Sequence, residues 1–228
     1  MQVDQLYKMN QSKKYNHIIW DWNGTLLNDV ELCAGIMNML LVQESLPQIS
    51  VERYKEILTF PIIEYYKIAG HSFERNSFEV LGKQFIDEYE IKKDVCDLYP
   101  GVRDLLSELQ NRNINQHLLS AYEQNSLNRI VKQFALGKYF QNVVGLDNVY
   151  ANGKAHIAKQ LEAKINSNGQ SGKILLIGDT IHDYEVSREI NSDCILISHG
   201  HQDEERLLKL GIPVVKNFEE LIIILKDK

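Results

Sequence analysis

The chain has 228 residues, 44% hydrophobic and 25% charged, with 25 Lys+Arg against 31 Asp+Glu and a formal net charge of −6. Such proportions exclude a disordered, collagen-like or coiled-coil chain. A pI near 5.7 argues against nucleic acid or an anionic membrane as the main partner.

Residues 1–14 are polar and aperiodic and are expected to be a leader ahead of the fold. His17-Ile18-Ile19-Trp20 is a short apolar run that stops at Asp21 and enters Asn23-Gly24, the pattern of a buried strand ending in a turn. From Asp29 to about Leu98 the period changes to helical. Val30, Cys33, Met37, Leu40 and Leu41 form one stripe, and Phe78, Leu81, Phe85 and Tyr89 form another. Pro47 and Pro61 mark helix boundaries within this stretch. Residues 29–97 are therefore expected to be a helical insert with its own small core.

After Tyr99-Pro100-Gly101 strands alternate with helices. Strands are predicted at Ile114 to Leu119, Val143-Val144, Ile174 to Ile177 and Cys194 to Ile197, with helices over about 123–135 and 154–165 and from Phe218 onward. Strands apolar along their whole length and separated by helices indicate an α/β fold with a parallel sheet covered on both faces. The expected core is residues 15–28 with 98–228, interrupted by the helical insert after the first strand.

Open α/β sheets bind ligands at the carboxyl ends of their strands. The first strand delivers Asp21, the second Ser120, and the fourth Gly178-Asp179 with Asp183 four residues on; Lys154 opens a helix. Three carboxylates within a few ångströms repel one another unless a cation sits among them. Mg2+ suits such a set, because it takes oxygen ligands and leaves positions for phosphate oxygens. Lys154 can pair with a carboxylate and neutralise phosphate charge. Ser120 and the amides of the Asn23-Gly24-Thr25 turn can donate to phosphate oxygens. These are the parts of a phosphoryl-transfer site.

Four segments in order resemble the motifs of the haloacid dehalogenase superfamily: IIWDWNGT at Ile18 to Thr25, HLLS at His117 to Ser120, GKAHIAK with Lys154, and ILLIGDTIHD at Ile174 to Asp183. The helical insert resembles the cap of the phosphoglycolate-phosphatase-like branch, and LYPGV at Leu98 to Val102 resembles the usual re-entry into a Rossmann-like core. The resemblance implies a Mg2+-dependent phosphatase acting on a small phosphorylated metabolite through an aspartyl phosphate on Asp21. It further implies metal ligation by Asp21, the Asn23 carbonyl, Asp179 and Asp183, and phosphate binding by Gly24, Thr25, Ser120 and Lys154.

One position departs from the pattern. The family's phosphatases place a second Asp two residues after the nucleophile as general acid and base, and here that residue is Asn23. A missing general acid costs about 10²–10⁴ in rate. What that leaves is a slow phosphatase, one acting on a good leaving group such as an acyl phosphate or anhydride, or one with a replacement acid, for which His182, His156 or an acid from the cap are candidates. A first motif of DWxGT form also resembles phosphonoacetaldehyde hydrolase, which would require a cap lysine such as Lys55 or Lys67. A non-catalytic phosphate-binding module is the third reading, and Asn23 is the feature that favours it.

The remaining features are read as structural. His17, His71, His117, His199 and His201 show no metal-ligand spacing, and Tyr54, Tyr65 and Tyr66 are expected in the cap core. Cys33, Cys96 and Cys194 form no CxxC pair, and the longest apolar run near the carboxyl end, Leu221 to Leu225, is far too short to span a bilayer. A cytoplasmic protein without nucleic-acid or membrane partners, monomeric or a weak homodimer, is the expectation.

Overall fold

The computed structural model describes residues 15–147, 153–167 and 172–226; the polar leader at residues 1–14 lies outside the described residues. Strand β1 spans His17–Trp20 and is buried throughout. Successive side chains of a strand point to opposite faces, and Ile18 and Trp20 accordingly enter one hydrophobic cluster while Ile19 enters another. Both faces of the sheet are therefore dry, as a continuous apolar run requires.

The sheet is built around β1. Two-residue strands β2, Leu27–Asn28, and β3, Asp97–Leu98, pair separately with each other. Strands β4, Asn115–Glu123, β5, Phe140–Leu146, β6, Ile174–Gly178, β7, Asp193–Ile197, and β8, Val214–Val215, join β1 in the order β5-β4-β1-β6-β7-β8. Every pairing in that sheet is parallel. The strand order turns at β1, between β4 and β6, which makes its carboxyl end the topological switch point. The register places Trp20 level with both Leu118 and Ile177, so Asp21, Ser120 and Asp179 come off the same edge.

Helices cover both faces. Leu105, Leu106 and Leu109 of the helix Val102–Asn111 pack on one side with Phe218, Leu221 and Leu225 of Phe218–Lys226. Ile157, Leu161 and Ile165 of Gly153–Ser167 pack on the other side with Val186 of Ile181–Glu189.

Between β2 and β3 the chain forms only helices among the described residues. These are α1, Val30–Gln43, α2, Val51–Ile57, α3, Ile62–Ala69, and α4, Phe78–Lys92, followed by a 3-10 turn. Ser50 and Ser77 cap α2 and α4 by accepting the amides of Arg53 and Val80. Ile36, Met37, Leu40, Leu41, Tyr54, Tyr65 and Leu81 pack into a third cluster that belongs to this block.

Differences from the sequence-based expectations lie at element ends. The second core strand runs on to Glu123 and the third starts at Phe140, because their pairing shifts register around Gln116 and after Leu119. Two-residue strands lie below what periodicity can register, so β8 and the β2–β3 neck were not expected. Leu27 pairs with Leu98 across that neck, which brings the entry and exit of the helical block together.

Candidate active site at the carboxyl edge of the sheet

Asp21 leaves β1 with its amide bonded to the Ile177 carbonyl at 2.9 Å, so its backbone remains in the sheet while its side chain passes the edge. One carboxylate oxygen from each of Asp21, Asp179 and Asp183 lies within 4.8 Å of the others, and all three residues are buried. The Lys154 ammonium, also buried, donates to both Asp21 and Asp183. Ser120 is buried at the same edge, and its hydroxyl accepts the Tyr122 amide at 3.1 Å.

Each carboxylate is oriented by local structure. Thr180 caps the helix Ile181–Glu189, and Asp183 returns the bond in a capping box. Asp183 Oδ2 accepts the Thr180 amide at 3.0 Å and its hydroxyl at 2.6 Å, leaving Oδ1 to Lys154. Asp183 therefore caps a helix and faces the site at once. Asp179 accepts the Thr25 hydroxyl at 2.9 Å and the His201 amide at 2.6 Å. A Cβ at Gly24 or Gly200 would strike the Asp179 carboxylate, so these glycines make room for it.

The charges explain what the cluster requires. Burial, with repulsion from Asp183 and Asp179, raises the Asp21 pKa even though Lys154 opposes the shift. Asp179 is raised as well, first by burial and then by Asp183. Burial would depress Lys154, yet Asp183 and Asp21 hold it above its ordinary value. One ammonium, paired with Asp21 and Asp183, thus serves a cluster of three carboxylates, an arrangement short of positive charge. An all-oxygen donor set with surplus negative charge fits Mg2+.

Several polar groups of the turn after β1 have partners within the protein. The Gly24 amide donates to Asp29 Oδ1 at 2.9 Å, and the Thr25 hydroxyl is taken by Asp179. Asn23 Nδ2 donates to Asp29 Oδ2 and to the Tyr89 hydroxyl, each at 2.7 Å.

Sequence reasoning missed the partners of this second layer. Asp29 is 1% exposed and accepts from Asn23, Gly24, Tyr89 at 2.8 Å and His201 Nε2 at 3.2 Å. Burial would raise Asp29, but the His201 charge and these hydrogen bonds lower it. Burial would likewise lower His201, but the Asp29 carboxylate outweighs it and lifts His201 to about 9. The buried imidazolium donates through Nε2 to Asp29 and through Nδ1 to the Tyr54 hydroxyl, 2.9 Å away. No spacing signal could have found it, because Asp29 and His201 are far apart in sequence.

The other candidates have partners of their own. His182 stacks on Phe60 with ring centroids 4.8 Å apart, and Nδ1 lies 3.3 Å from Glu185. His156 is exposed beside Gln160. Lys67 pairs with Glu64 on the surface. Lys55 donates to the Ser198 and His199 carbonyls at 3.1 and 3.4 Å, and burial lowers its pKa. Tyr54, Tyr65 and Tyr66 all sit in the helical block's own core, and the Tyr54 hydroxyl also reaches His201. Among the described residues, no helix is long and apolar enough to cross a membrane.

Comparison with known proteins agrees with this geometry. The haloacid dehalogenase-like hydrolase family model matches residues 18–197. A phosphoglycolate phosphatase of Caulobacter vibrioides is 26% identical over 195 residues, covering 82% of this chain and 81% of that protein. The pyrophosphatase PpaX of Listeria monocytogenes is 25% identical, covering 94% of this chain and 98% of its own length. A haloacid dehalogenase-like hydrolase from Streptococcus pneumoniae superposes with a TM-score of 0.75 at 17% identity, over 92% of this chain and 97% of that one.

Proposed function

The chain belongs to the haloacid dehalogenase-like hydrolases, and we propose that it is a Mg2+-dependent phosphatase of small phosphorylated metabolites with Asp21 as nucleophile. The observation that carries this reading is the buried meeting of Asp21, Asp179, Asp183 and Lys154 at the switch point of the sheet. Its relatives include enzymes named for phosphoglycolate and for pyrophosphate, both small and anionic.

In this reading Asp21, the Asn23 carbonyl and Asp179 would hold the metal with Asp183 in support, and the bound ion would neutralise phosphoryl charge. Asp21 attacks phosphorus and carries the phosphoryl group until water releases it. Lys154 opposes the protonation of Asp21 and orients it, and its remaining N–H, with the Ser120 hydroxyl, binds phosphoryl oxygens. Placing such donors before the reaction starts is worth several kcal/mol in phosphoryl transfer.

We assign residues 29–97 the role of a cap over residues 15–28 and 98–228. Arg206 Nη1 donates to the carbonyls of Glu56 and Leu58 at 2.9 and 2.6 Å, and Gln202 Nε2 donates to Leu58 at 2.8 Å. These bonds, like that of Tyr54 to His201, hold the block against the sheet edge, where a closed cap would exclude water and select the substrate.

The test is phosphate release from a panel of small phosphate esters and anhydrides with Mg2+, comparing wild type with Asp21→Asn. Release by wild type and its loss in the variant supports the reading. Release that persists in Asp21→Asn contradicts it.

A further inference from the structure

We propose that Asn23 and Asp29 form a matched amide–carboxylate pair that commits this site to substrates whose leaving group departs as a stable anion, namely acyl phosphates and phosphoanhydrides. The inference rests on the phosphatase reading above and narrows its substrate class.

The side-chain nitrogen of Asn23 carries two hydrogens, and both are engaged: one with Asp29 Oδ2, the other with Tyr89. Tyr89 in turn donates to Asp29 Oδ2 at 2.8 Å, which closes a triangle of three polar groups. Because a carboxylate only accepts, the orientation of the amide is fixed by its neighbours. Asn23 thus has neither an acidic proton nor a free N–H to offer. The amide is also required where it stands. Asp29 is buried and surrounded by donors from Asn23, Gly24, Tyr89 and His201. An Asp at position 23 would set acceptor against acceptor at this distance and remove a donor from a buried carboxylate. The departure at position 23 is therefore tied to Asp29 and Tyr89 and is not a lone lost acid.

The chemistry follows from this. Asp21 attacks phosphorus as the bond to the leaving-group oxygen breaks, and that oxygen takes the electron pair. A carboxylate or phosphate leaves as an anion at neutral pH and needs no proton. An alkoxide must be protonated as it leaves, and the acid that does so is worth about 10²–10⁴ in rate. Water then attacks phosphorus, the bond to Asp21 breaks, and the products are the Asp21 carboxylate and dihydrogen phosphate.

The experiment compares kcat/KM for acetyl phosphate and pyrophosphate with that for glycerol 3-phosphate, for wild type, Asn23→Asp, Asp29→Asn and the double exchange, and records each melting temperature. Wild type is expected to favour the first two by at least about 10²-fold. Asn23→Asp alone is expected to melt about 5 °C lower without gaining activity on glycerol 3-phosphate. The double exchange is expected to regain most of that loss and to raise glycerol 3-phosphate turnover at least about tenfold. Wild type acting equally on esters and anhydrides overturns the proposal. So does Asn23→Asp melting like wild type and gaining ester activity by itself, or the double exchange melting below Asn23→Asp. Acetyl phosphate turnover that survives in Asp21→Asn fails the phosphatase reading instead, and the melting comparison still reports on the pair.

Discussion

The hydroxyl of Tyr54 lies 2.9 Å from Nδ1 of His201, and the backbone amide of the same histidine donates to Asp179 at 2.6 Å. One residue therefore joins the docking of α2 to the orientation of a carboxylate at the sheet edge. Replacing Tyr54 by Phe removes a single hydrogen bond between the helical block and the sheet, at a cost of about 1 kcal/mol. The melting temperature should fall by about 2–4 °C. Backbone amides of Val51–Ile57 should exchange faster with solvent, because that helix loses one of its anchors. Unchanged exchange there would show that Arg206 and Gln202 hold the block without Tyr54.

A divalent cation should stabilise the fold directly. Three buried carboxylates against one ammonium leave charge that a bound ion removes, and a ligand at a hundredfold excess over its Kd adds about 2.7 kcal/mol. Mg2+ titrated into chelator-treated protein should raise the melting temperature by about 5–10 °C. Asp179→Asn should abolish the shift. Gly200→Ala should weaken Mg2+ by about 10–100-fold, because its Cβ displaces the Asp179 carboxylate. A Gly200→Ala protein that binds Mg2+ as tightly as wild type would contradict the packing argument.

His117 sets an acid limit on stability. His117 is buried, accepts the Asn142 side-chain amide on Nδ1 at 2.9 Å, and donates from Nε2 to His17 Nδ1 at 3.1 Å. Burial, with the neighbouring His17, lowers its pKa to about 4. The unfolded chain takes up a proton near pH 6.5 and the folded chain only near 4. Stability is therefore full above 6.5 and falls as pH drops through that window, by about 2–3 kcal/mol. His199, lowered similarly by burial, adds to the same slope. Denaturant unfolding at pH 7 and pH 4.5 should show a smaller difference for His117→Gln than for wild type. Equal differences would contradict the assignment.

Much of this was legible in the sequence, for physical reasons. An apolar run that stops at an acid is both a buried strand and its exit, so Asp21 and Gly178-Asp179 announced themselves. Asp183 was recognisable through its spacing from Asp179, and the structure explains that spacing by the capping box with Thr180. The second layer left no such trace. Asp29, Tyr89, Tyr54 and His201 come from four different segments and meet only when the helical block closes on the sheet edge. A polar side chain buried between two packed bodies has no period, so His201 read as one histidine among several. Asn23 drew notice for the acid it lacks, whereas the structure shows the two acceptors that hold it.

The most direct measurement is chemical trapping of the phosphorylated enzyme. Protein mixed with acetyl phosphate and Mg2+ is quenched in acid and treated with borohydride, which reduces an aspartyl phosphate to homoserine, and the digest is read by mass spectrometry. Homoserine at position 21, dependent on substrate and absent from Asp21→Asn, is the predicted result. Phosphate release by wild type with residue 21 unmodified under the same quench, or with the modification at another carboxylate, would contradict Asp21 as the nucleophile.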